Sequence, residues 1–237
     1  MAAPAFVGFA GSTTATGNSS PIGFSLTPSA AGNLLVLVFS QARRETSPSA
    51  VTYTTPTGWT YIGDQYYALA DLSPTGADHW VSTVAYATVA TTGMSAPSLV
   101  QTGTGGSFAK GLIYEYTPAR VAGFATDSGL TSNPTPSTTY SAGAASSIVW
   151  NIASSNALFV SNTFSVTSAN SFTTDDSSGR TMYKGTFMHR DGVSGTTNLP
   201  TLTDSSADST KNWYPWVSLG VELVALGGIF TDGASHL

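Results

Sequence analysis

The sequence predicts an all-β protein: a jelly-roll-like antiparallel sandwich of two sheets, made of two similar halves. First, Val, Ile, Thr, Tyr, Phe and Trp cluster in short runs bounded by Gly, Pro, Asn and Ser. Second, no stretch carries apolar residues at helical spacing. Third, the chain has 237 residues and no cysteine, which fits one large sandwich stabilised by packing rather than disulfides.

Short apolar or aromatic runs define the candidate strands. Residues 34–39 (LLVLVF) are continuously apolar, which predicts a central strand buried on both faces. Residues 55–58 (TPTG) predict a turn, because Pro56 fixes φ and Gly58 allows a positive φ. The predicted strands are 5–9, 22–26, 34–41, 59–65, 80–90, 108–117, 148–151, 157–166, 181–189 and 216–224.

A weak internal repeat predicts the two halves. Residues 29–40 (SAAGNLLVLVFS) are similar to residues 153–164 (ASSNALFVSNTF), since each places a small-residue turn with Asn before an apolar strand. A middle strand and a strongly apolar closing strand then follow in both halves. The matched segments are 80–87 with 182–188, and 111–116 with 217–224.

The repeat gives a domain organisation. We expect a single sandwich domain over residues 1–226, with halves at about 1–123 and 140–226. Residues 124–139 are poor in apolar residues and hold two prolines, which predicts the long connection between the halves. Residues 227–237 follow the last strand and are interpreted as a C-terminal tail.

Charge composition argues against several classes of function. Charged residues make up 9% of the chain and the net charge is −5, whereas nucleic-acid binding needs clustered Lys and Arg. The N-terminal residues lack the basic start and continuous apolar stretch of an export signal, and no run is long enough to span a membrane. A surface with so few charges suits a protein that packs against neighbours.

Candidate catalytic residues are few, and we expect no enzyme. His189 stands beside Asp191, where it is either a general base oriented by that carboxylate or an ordinary histidine at a strand end. Glu115 and Glu222 occupy equivalent places in the two halves, so they are candidates for paired carboxylates of glycoside hydrolysis. Outward-facing glutamates on alternating strands are the favoured alternative.

Metal and phosphate sites have equally weak signals, and we expect no cofactor. Asp175, Asp176, Asp204 and Asp208 lie in Ser/Thr-rich stretches and could offer oxygen ligands to Ca²⁺, but Asp and Ser also favour plain turns. The glycine-rich stretch 103–106 lacks the lysine and the following helix of a phosphate-binding loop.

Aromatic residues near turns are the one candidate binding feature. Exposed rings stack on sugars or anchor protein interfaces, and buried rings cap the ends of a sandwich core. All three interpretations stay open for Tyr66, Tyr67, Trp213, Tyr214 and Trp216.

A set of motifs in the first half resembles a group of bacteriophage virion proteins. It comprises residues 31–36 (AGNLLV), 55–63 (TPTGWTYIG), a strand at 84–89 and a closing strand at 111–116. The resemblance covers about residues 20–120, with a looser second half. Similar domains occur in tail and capsid-surface proteins of tailed phages and in bacterial surface proteins.

The resemblance implies a non-enzymatic virion protein, assembled in the host cytoplasm. Since no fibrous or coiled-coil stalk is evident, we expect a capsid decoration (cement) protein that clamps shell subunits. Its expected partners are the major capsid protein or other virion proteins and further copies of itself, as a trimer or dimer, with neither nucleic acid nor membrane. The alternative is a tail-associated receptor- or carbohydrate-binding module, which would use Trp213, Tyr214 and Trp216.

Overall fold

A computed structural model describes most of the chain, and the described part is built from β-strands without a helix. The described residues are 2–16, 20–45, 51–69, 78–103, 108–130, 139–155, 164–168, 171–180, 183–198, 201–204 and 215–226. The prediction of an all-β sandwich is confirmed.

The strands are β1 (Phe6–Thr16), β2 (Ile22–Gly23), β3 (Leu34–Glu45), β4 (Thr52–Thr54), β5 (Thr60–Leu69), β6 (Asp78–Val89), β7 (Ser98–Thr102), β8 (Phe108–Tyr116), β9 (Ala119–Leu130), β10 (Thr139–Ser154), β11 (Phe164–Ser168), β12 (Thr173–Arg180), β13 (Tyr183–Asn198), β14 (Thr201–Asp204) and β15 (Pro215–Ala225).

Two five-stranded antiparallel sheets form the sandwich. The first sheet has the order β1-β8-β3-β6-β5 and the second has the order β12-β13-β10-β15-β9. Strand β3 is central, as the apolar run predicts: Val36 and Val38 face the second sheet, and Leu35, Leu37 and Phe39 face the opposite side. All five side chains are fully buried.

The two sheets share one connectivity, which confirms the expected similarity of the halves. If the five strands of each sheet are numbered in chain order, both sheets have the spatial order 1-5-2-4-3. The strands of the first sheet, β1, β3, β5, β6 and β8, therefore correspond in turn to β9, β10, β12, β13 and β15 of the second. Irregularities also recur. A register shift separates Phe6 from Gly8 on β1, and another separates Val121 from Gly123 on β9. The edge strands β5 and β12 carry a matching pair of shifts.

The strand order does not establish a jelly roll, because each half of the chain forms its own large sheet. Two of the matched segment pairs lie on corresponding strands, namely β6 with β13 and β8 with β15. The third pairing is wrong: the counterpart of β3 is β10, which ends at Ser154, and most of residues 153–164 lie outside the described part.

The predicted connection over residues 124–139 is also wrong where the structure describes it. Strand β9 runs to Leu130 and pairs with β15 as the edge of the second sheet. Its side chains are mostly half-buried or exposed, so it carries little of the apolar signal that marks a central strand. Residues 131–138 and the tail, 227–237, lie outside the described residues.

The main core lies between the large sheets, and polar contacts fix their alignment. Tyr114 of the first sheet and Leu219 of the second belong to this core. The Thr83 hydroxyl donates across the sandwich to Asn151 Oδ1 at 2.9 Å, and Asn151 Nδ2 donates to the Thr186 carbonyl at 3.1 Å. A buried amide with both ends satisfied favours one relative placement of the sheets.

Smaller sheets accompany the outer faces. The three-stranded sheet β2-β7-β4 contributes Ile22, Leu99 and Tyr53 to a second cluster on the outer face of the first sheet. The pair β11-β14 belongs to the second half. The predicted turn before β5 is confirmed, since Gly58 has φ of 80° and the Trp59 amide donates to the Pro56 carbonyl.

Candidate binding groove

An open apolar groove lies at the edge of the sandwich where β5 and β6 meet β9. Its cavity volume is about 540 Å³. Ile62 and Ala87 line it from the first sheet, and Val121 and Phe124 line it from the second. Leu226 follows β15 and completes the apolar wall. A concave apolar site of this size is typical of ligand or segment binding.

Half-exposed apolar side chains surround the groove. Tyr61 is 48% exposed, Val89 50%, Phe124 50% and Leu226 51%. Single exposed apolar residues are common, but a contiguous group beside a cavity marks an interaction site. The groove therefore leaves contiguous apolar surface in contact with water.

Local sequence explains how the groove keeps its shape. Gly63 has no side chain, and a Cβ atom there would collide with the ring of Phe124. The Tyr61 hydroxyl donates to Asp64 Oδ1. Burial, followed by the contact with Asp64, raises the pKa of Tyr61 to about 12, so this rim residue is neutral at pH 7. Arg120 supplies a cationic side chain to the lining.

At the equivalent edge of the sandwich, the position that corresponds to the groove is filled by side chains. His189 takes the place of Ala87 and Asp175 the place of Ile62, judged by the matched registers of β5-β6 and β12-β13. Phe6 takes the place of Val121, and its ring lies over His189 at a centroid distance of 4.1 Å. A larger ring thus fills the space that Val121 leaves open.

Hydrogen bonds hold the segment before β1 at this edge. The Ser147 hydroxyl donates to the Pro4 carbonyl at 2.6 Å, and the Phe6 amide donates to Asp191 Oδ2 at 3.1 Å. The Ala5 amide donates to the Thr117 hydroxyl at 2.9 Å, and the Thr117 amide donates to the Ala5 carbonyl at 3.0 Å. Asp191 is thus engaged with the backbone of β1.

His189 is therefore not oriented by Asp191, the partner that its sequence position suggests. Its Nδ1 contacts Asp175 Oδ1 at 2.7 Å, and the two side chains are 12% and 4% exposed. Burial, and then the charge of Asp175, raises the pKa of Tyr114 well above its usual value, so that hydroxyl stays protonated. With Phe6 over the imidazole, the pair links β12 to β13 beneath a hydrophobic cover.

The two candidate glutamates point away from each other. Glu115 alternates with Tyr114 and Tyr116, which face the inter-sheet core, and Glu222 alternates with core-facing Val221 and Leu223. Glu115 and Glu222 therefore lie on opposite outer faces of the sandwich. They cannot flank one substrate as a glycosidase pair would.

Glu115 has a structural partner instead. Its carboxylate accepts hydrogen bonds from the Ser29 amide and hydroxyl, the Ala30 amide and Asn33 Nδ2, at 2.7–3.3 Å. Burial alone would raise the pKa of Glu115, but the bonds from Asn33, Ser29 and Ala30 outweigh it and lower the pKa. The carboxylate holds the turn that leads into β3.

Two of the acidic residues proposed for Ca²⁺ contact other side chains of the protein: Asp175 contacts His189, and Asp176 contacts Lys110. Asp175 and Asp176 lie in β12 rather than in a loop, and Asp176 contacts Lys110 Nζ at 2.8 Å. Asp204 is the last residue of β14, and Asp208 lies outside the described residues. No group of three acidic or histidine ligands in the described part could hold a metal ion. Of residues 103–106, the structure describes only the first.

The candidate aromatic residues occupy different environments. Tyr66 is half-buried and packs on Trp80 at a centroid distance of 6.0 Å, and Tyr67 packs against a buried cluster. Trp216 is 4% exposed and lies in the outer core of the second sheet, with its ring against Gly129. Its ring thus has little surface for stacking. Trp213 and Tyr214 lie outside the described residues.

Sequence reasoning did not find the groove. Its residues come from strand ends and from β9, which the pattern assigned to a connection. Val121 and Phe124 are three residues apart across a register shift, so they do not show the period-two alternation that marks a strand.

Comparisons with protein-family models, curated proteins and solved structures find no match to this chain. Within the described residues, no helix has the length and apolar character to cross a membrane.

Proposed function

We propose that this chain is a non-enzymatic structural subunit that docks onto a larger assembly through the apolar groove. Within that class we propose a capsid decoration protein of a tailed phage. The observation that carries the proposal is the exposed apolar rim of the groove, with Tyr61, Val89, Phe124 and Leu226 each about half exposed. Burying such a rim against a neighbour stabilises the complex by the hydrophobic effect.

Charge composition supports the same reading. Only 9% of the residues are charged, so a large contact can form without stripping water from many ions. The Thr83–Asn151 contact and the packed core between the sheets hold the groove walls in fixed relation. A rigid subunit that binds only the assembled shell stabilises that shell by mass action. A trimer or dimer would match the symmetry of shell subunits.

The test is addition of the purified chain to undecorated shells of the phage that encodes it, with occupancy measured by sedimentation and electron microscopy. Phe124→Ser removes the ring in the groove, and Phe9→Ser is the matched control, because Phe9 is 47% exposed on β1 outside the groove. We expect wild type and Phe9→Ser to dock at regular positions and Phe124→Ser to dock at least tenfold more weakly. Equal docking of all three would refute the groove as the contact.

A second candidate function is the tail-associated module that binds a receptor carbohydrate. A polar cleft of about 450 Å³ favours it, since half-exposed Phe9 lies there beside Ser12, Asp175 and Asp176. A ring next to hydrogen-bonding groups is the usual arrangement for a sugar. The same variants separate the functions: glycan binding lost with Phe9→Ser and kept with Phe124→Ser would favour the carbohydrate module.

A further inference from the structure

We propose that two copies of this chain pair antiparallel along β9, so that the five strands of each second sheet join into one continuous sheet. The contact is isologous: the same residues face each other across a twofold axis at Phe124. It gives the dimeric form of the proposed function a defined contact surface, yet it concerns the free protein and needs no shell.

The first argument is the open edge of the second sheet. β9 is twelve residues long and last in the strand order, and within the described residues no strand pairs with its other side. The chain itself covers the equivalent edge of β1, where the Ser25 amide donates to the Ser12 carbonyl at 3.0 Å and the Thr27 amide donates to the Ala10 carbonyl at 2.6 Å. A long edge strand is a template for pairing with another chain.

The second argument is a bulge that limits the possible alignments of β9. The partners of Val121 and Gly123 on β15 are consecutive residues, so Ala122 between them has no partner there. Such an extra residue reverses the alternation of side chains, and a strand that pairs along all of β9 needs a matching irregularity. A second copy of β9 brings the same bulge, and a twofold axis at Phe124 places the two bulges on either side of the axis.

The third argument is charge complementarity in that one alignment. Beyond the bulge, Arg120 faces the partner's Asp127, and the twofold axis forms the same pair a second time. These are the only two charged residues of β9. Their neighbours on β15, Val224 and Ser218, are an even number of positions apart, so Arg120 and Asp127 lie on the same face of the sheet. Opposite charges that face each other across a strand pair stabilise the pairing.

The pairing also covers apolar surface. Phe124 is 50% exposed, and at the axis its ring meets the ring of the partner's Phe124. Aromatic pairs directly across two strands are favourable contacts. Leu226 follows the pair formed by Ala225 and Ala119 at the start of β9, away from the axis. Pairing therefore leaves that end of the groove open to a further partner.

The first test is self-association of the full chain without shells, measured by sedimentation equilibrium at micromolar concentrations. We expect a monomer–dimer equilibrium. Arg120→Asp and Asp127→Arg each place like charges opposite each other twice, so each should raise the dissociation constant of the dimer about tenfold or more. An equimolar mixture of the two variants restores both opposite-charge pairs and should form heterodimers about as tightly as wild type. The mixture also shows that both variants are folded.

The second test locates the axis. The chain has no cysteine, so a single thiol can be introduced. Phe124→Cys should form a disulfide with the other copy under mild oxidation, because directly opposite residues have Cβ atoms about 4.5–5.5 Å apart. Thr126→Cys is the matched control on the same face of β9. It faces the partner's Val121 and lies about 13 Å along the strand from its own mate, so it should crosslink at least about fivefold less.

Three results would overturn the proposal: a monomer at every concentration, a mixture of the charge variants that associates no more tightly than either variant alone, or equal crosslinking from positions 124 and 126. The proposed shell contact fails separately. Crosslinking at position 124 combined with undiminished shell docking by Phe124→Ser would support the pairing and refute the groove contact. Loss of docking by Phe124→Ser, with wild type monomeric at every concentration, would do the reverse.

Discussion

Replacing Glu115 with glutamine tests how far one buried carboxylate stabilises the first sheet. Glu115 is 2% exposed, and its Oε1 accepts from four donors on Ser29, Ala30 and Asn33. Its Oε2 accepts a further bond from the Ser29 amide. Glutamine preserves the side-chain shape and one carbonyl oxygen, but it removes the negative charge. Its NH₂ group, a donor, would also face the Ser29 amide, which is a donor too.

The expected cost follows from the strength of charged hydrogen bonds. Bonds to a charged group contribute about 1.5–3 kcal/mol each and neutral bonds about 0.5–1.5 kcal/mol, so each retained bond weakens by about 1 kcal/mol. The neutral amide also escapes the desolvation cost of a buried charge, which offsets part of this loss. We expect Glu115→Gln to lower the free energy of unfolding by about 2–3 kcal/mol at pH 7.

The pH dependence gives a second readout. The pKa of Glu115 is lowered on folding, so the ionised group stabilises the fold above the unfolded pKa of about 4.3. This stabilisation disappears as the pH falls through the folded pKa. The difference between wild type and Glu115→Gln should therefore be complete at neutral pH and shrink on acidification below about pH 4.

The assay is urea denaturation followed by tryptophan fluorescence from pH 7 down to pH 3. Glu222→Gln is the matched control, since Glu222 faces Gly123 on β9 as Glu115 faces Gly8 on β1, yet it is only half-buried. We expect the control to stay within about 0.5 kcal/mol of wild type. A loss below that size for Glu115→Gln, or one that is independent of pH, would refute the reasoning.

Three further substitutions test the packing. Trp216→Ala should cost about 3–5 kcal/mol in urea denaturation because it empties a buried site, and a cost under about 1 kcal/mol would show an exposed ring. Asn151→Ala should cost about 2–3 kcal/mol, and a double-mutant cycle with Thr83→Val should show coupling between the two side chains; strict additivity would contradict the bond across the sandwich. Gly63→Ala should displace the Phe124 ring and cost about 1–3 kcal/mol, so unchanged NMR signals of that ring would count against their close contact.

Sequence patterns predicted the parts of the fold that depend on burial. The run at residues 34–39 identified β3 as central because both of its faces are covered. Edge strands were harder: β9 and β12 pair through their backbones while many of their side chains are polar or partly exposed, so neither has a strong apolar period. β10 begins at Thr139, nine residues before the start expected from its apolar core.

The candidate site was less accessible from sequence because its contacts join distant segments. The partner of His189 is Asp175 on the neighbouring strand rather than Asp191 two positions away, and only the pairing of β12 with β13 brings them together. Trp216 looks like a loop aromatic in the sequence, yet its position in β15 directs it into the outer core. The groove lies between β5 and β6 of the first sheet and β9 of the second, so no local sequence pattern encodes it.

The recurring strand order has a consequence for divergence. In an assembly of two identical halves, every substitution at one rim would appear at its symmetry mate as well. A single continuous chain is free of that constraint: at one edge Phe6 packs on His189, which contacts Asp175, whereas the equivalent positions of the other edge hold small aliphatic residues such as Ala87 and Val121. Two similar halves in one chain thus give the protein two edges with the same strand order and different surface chemistry.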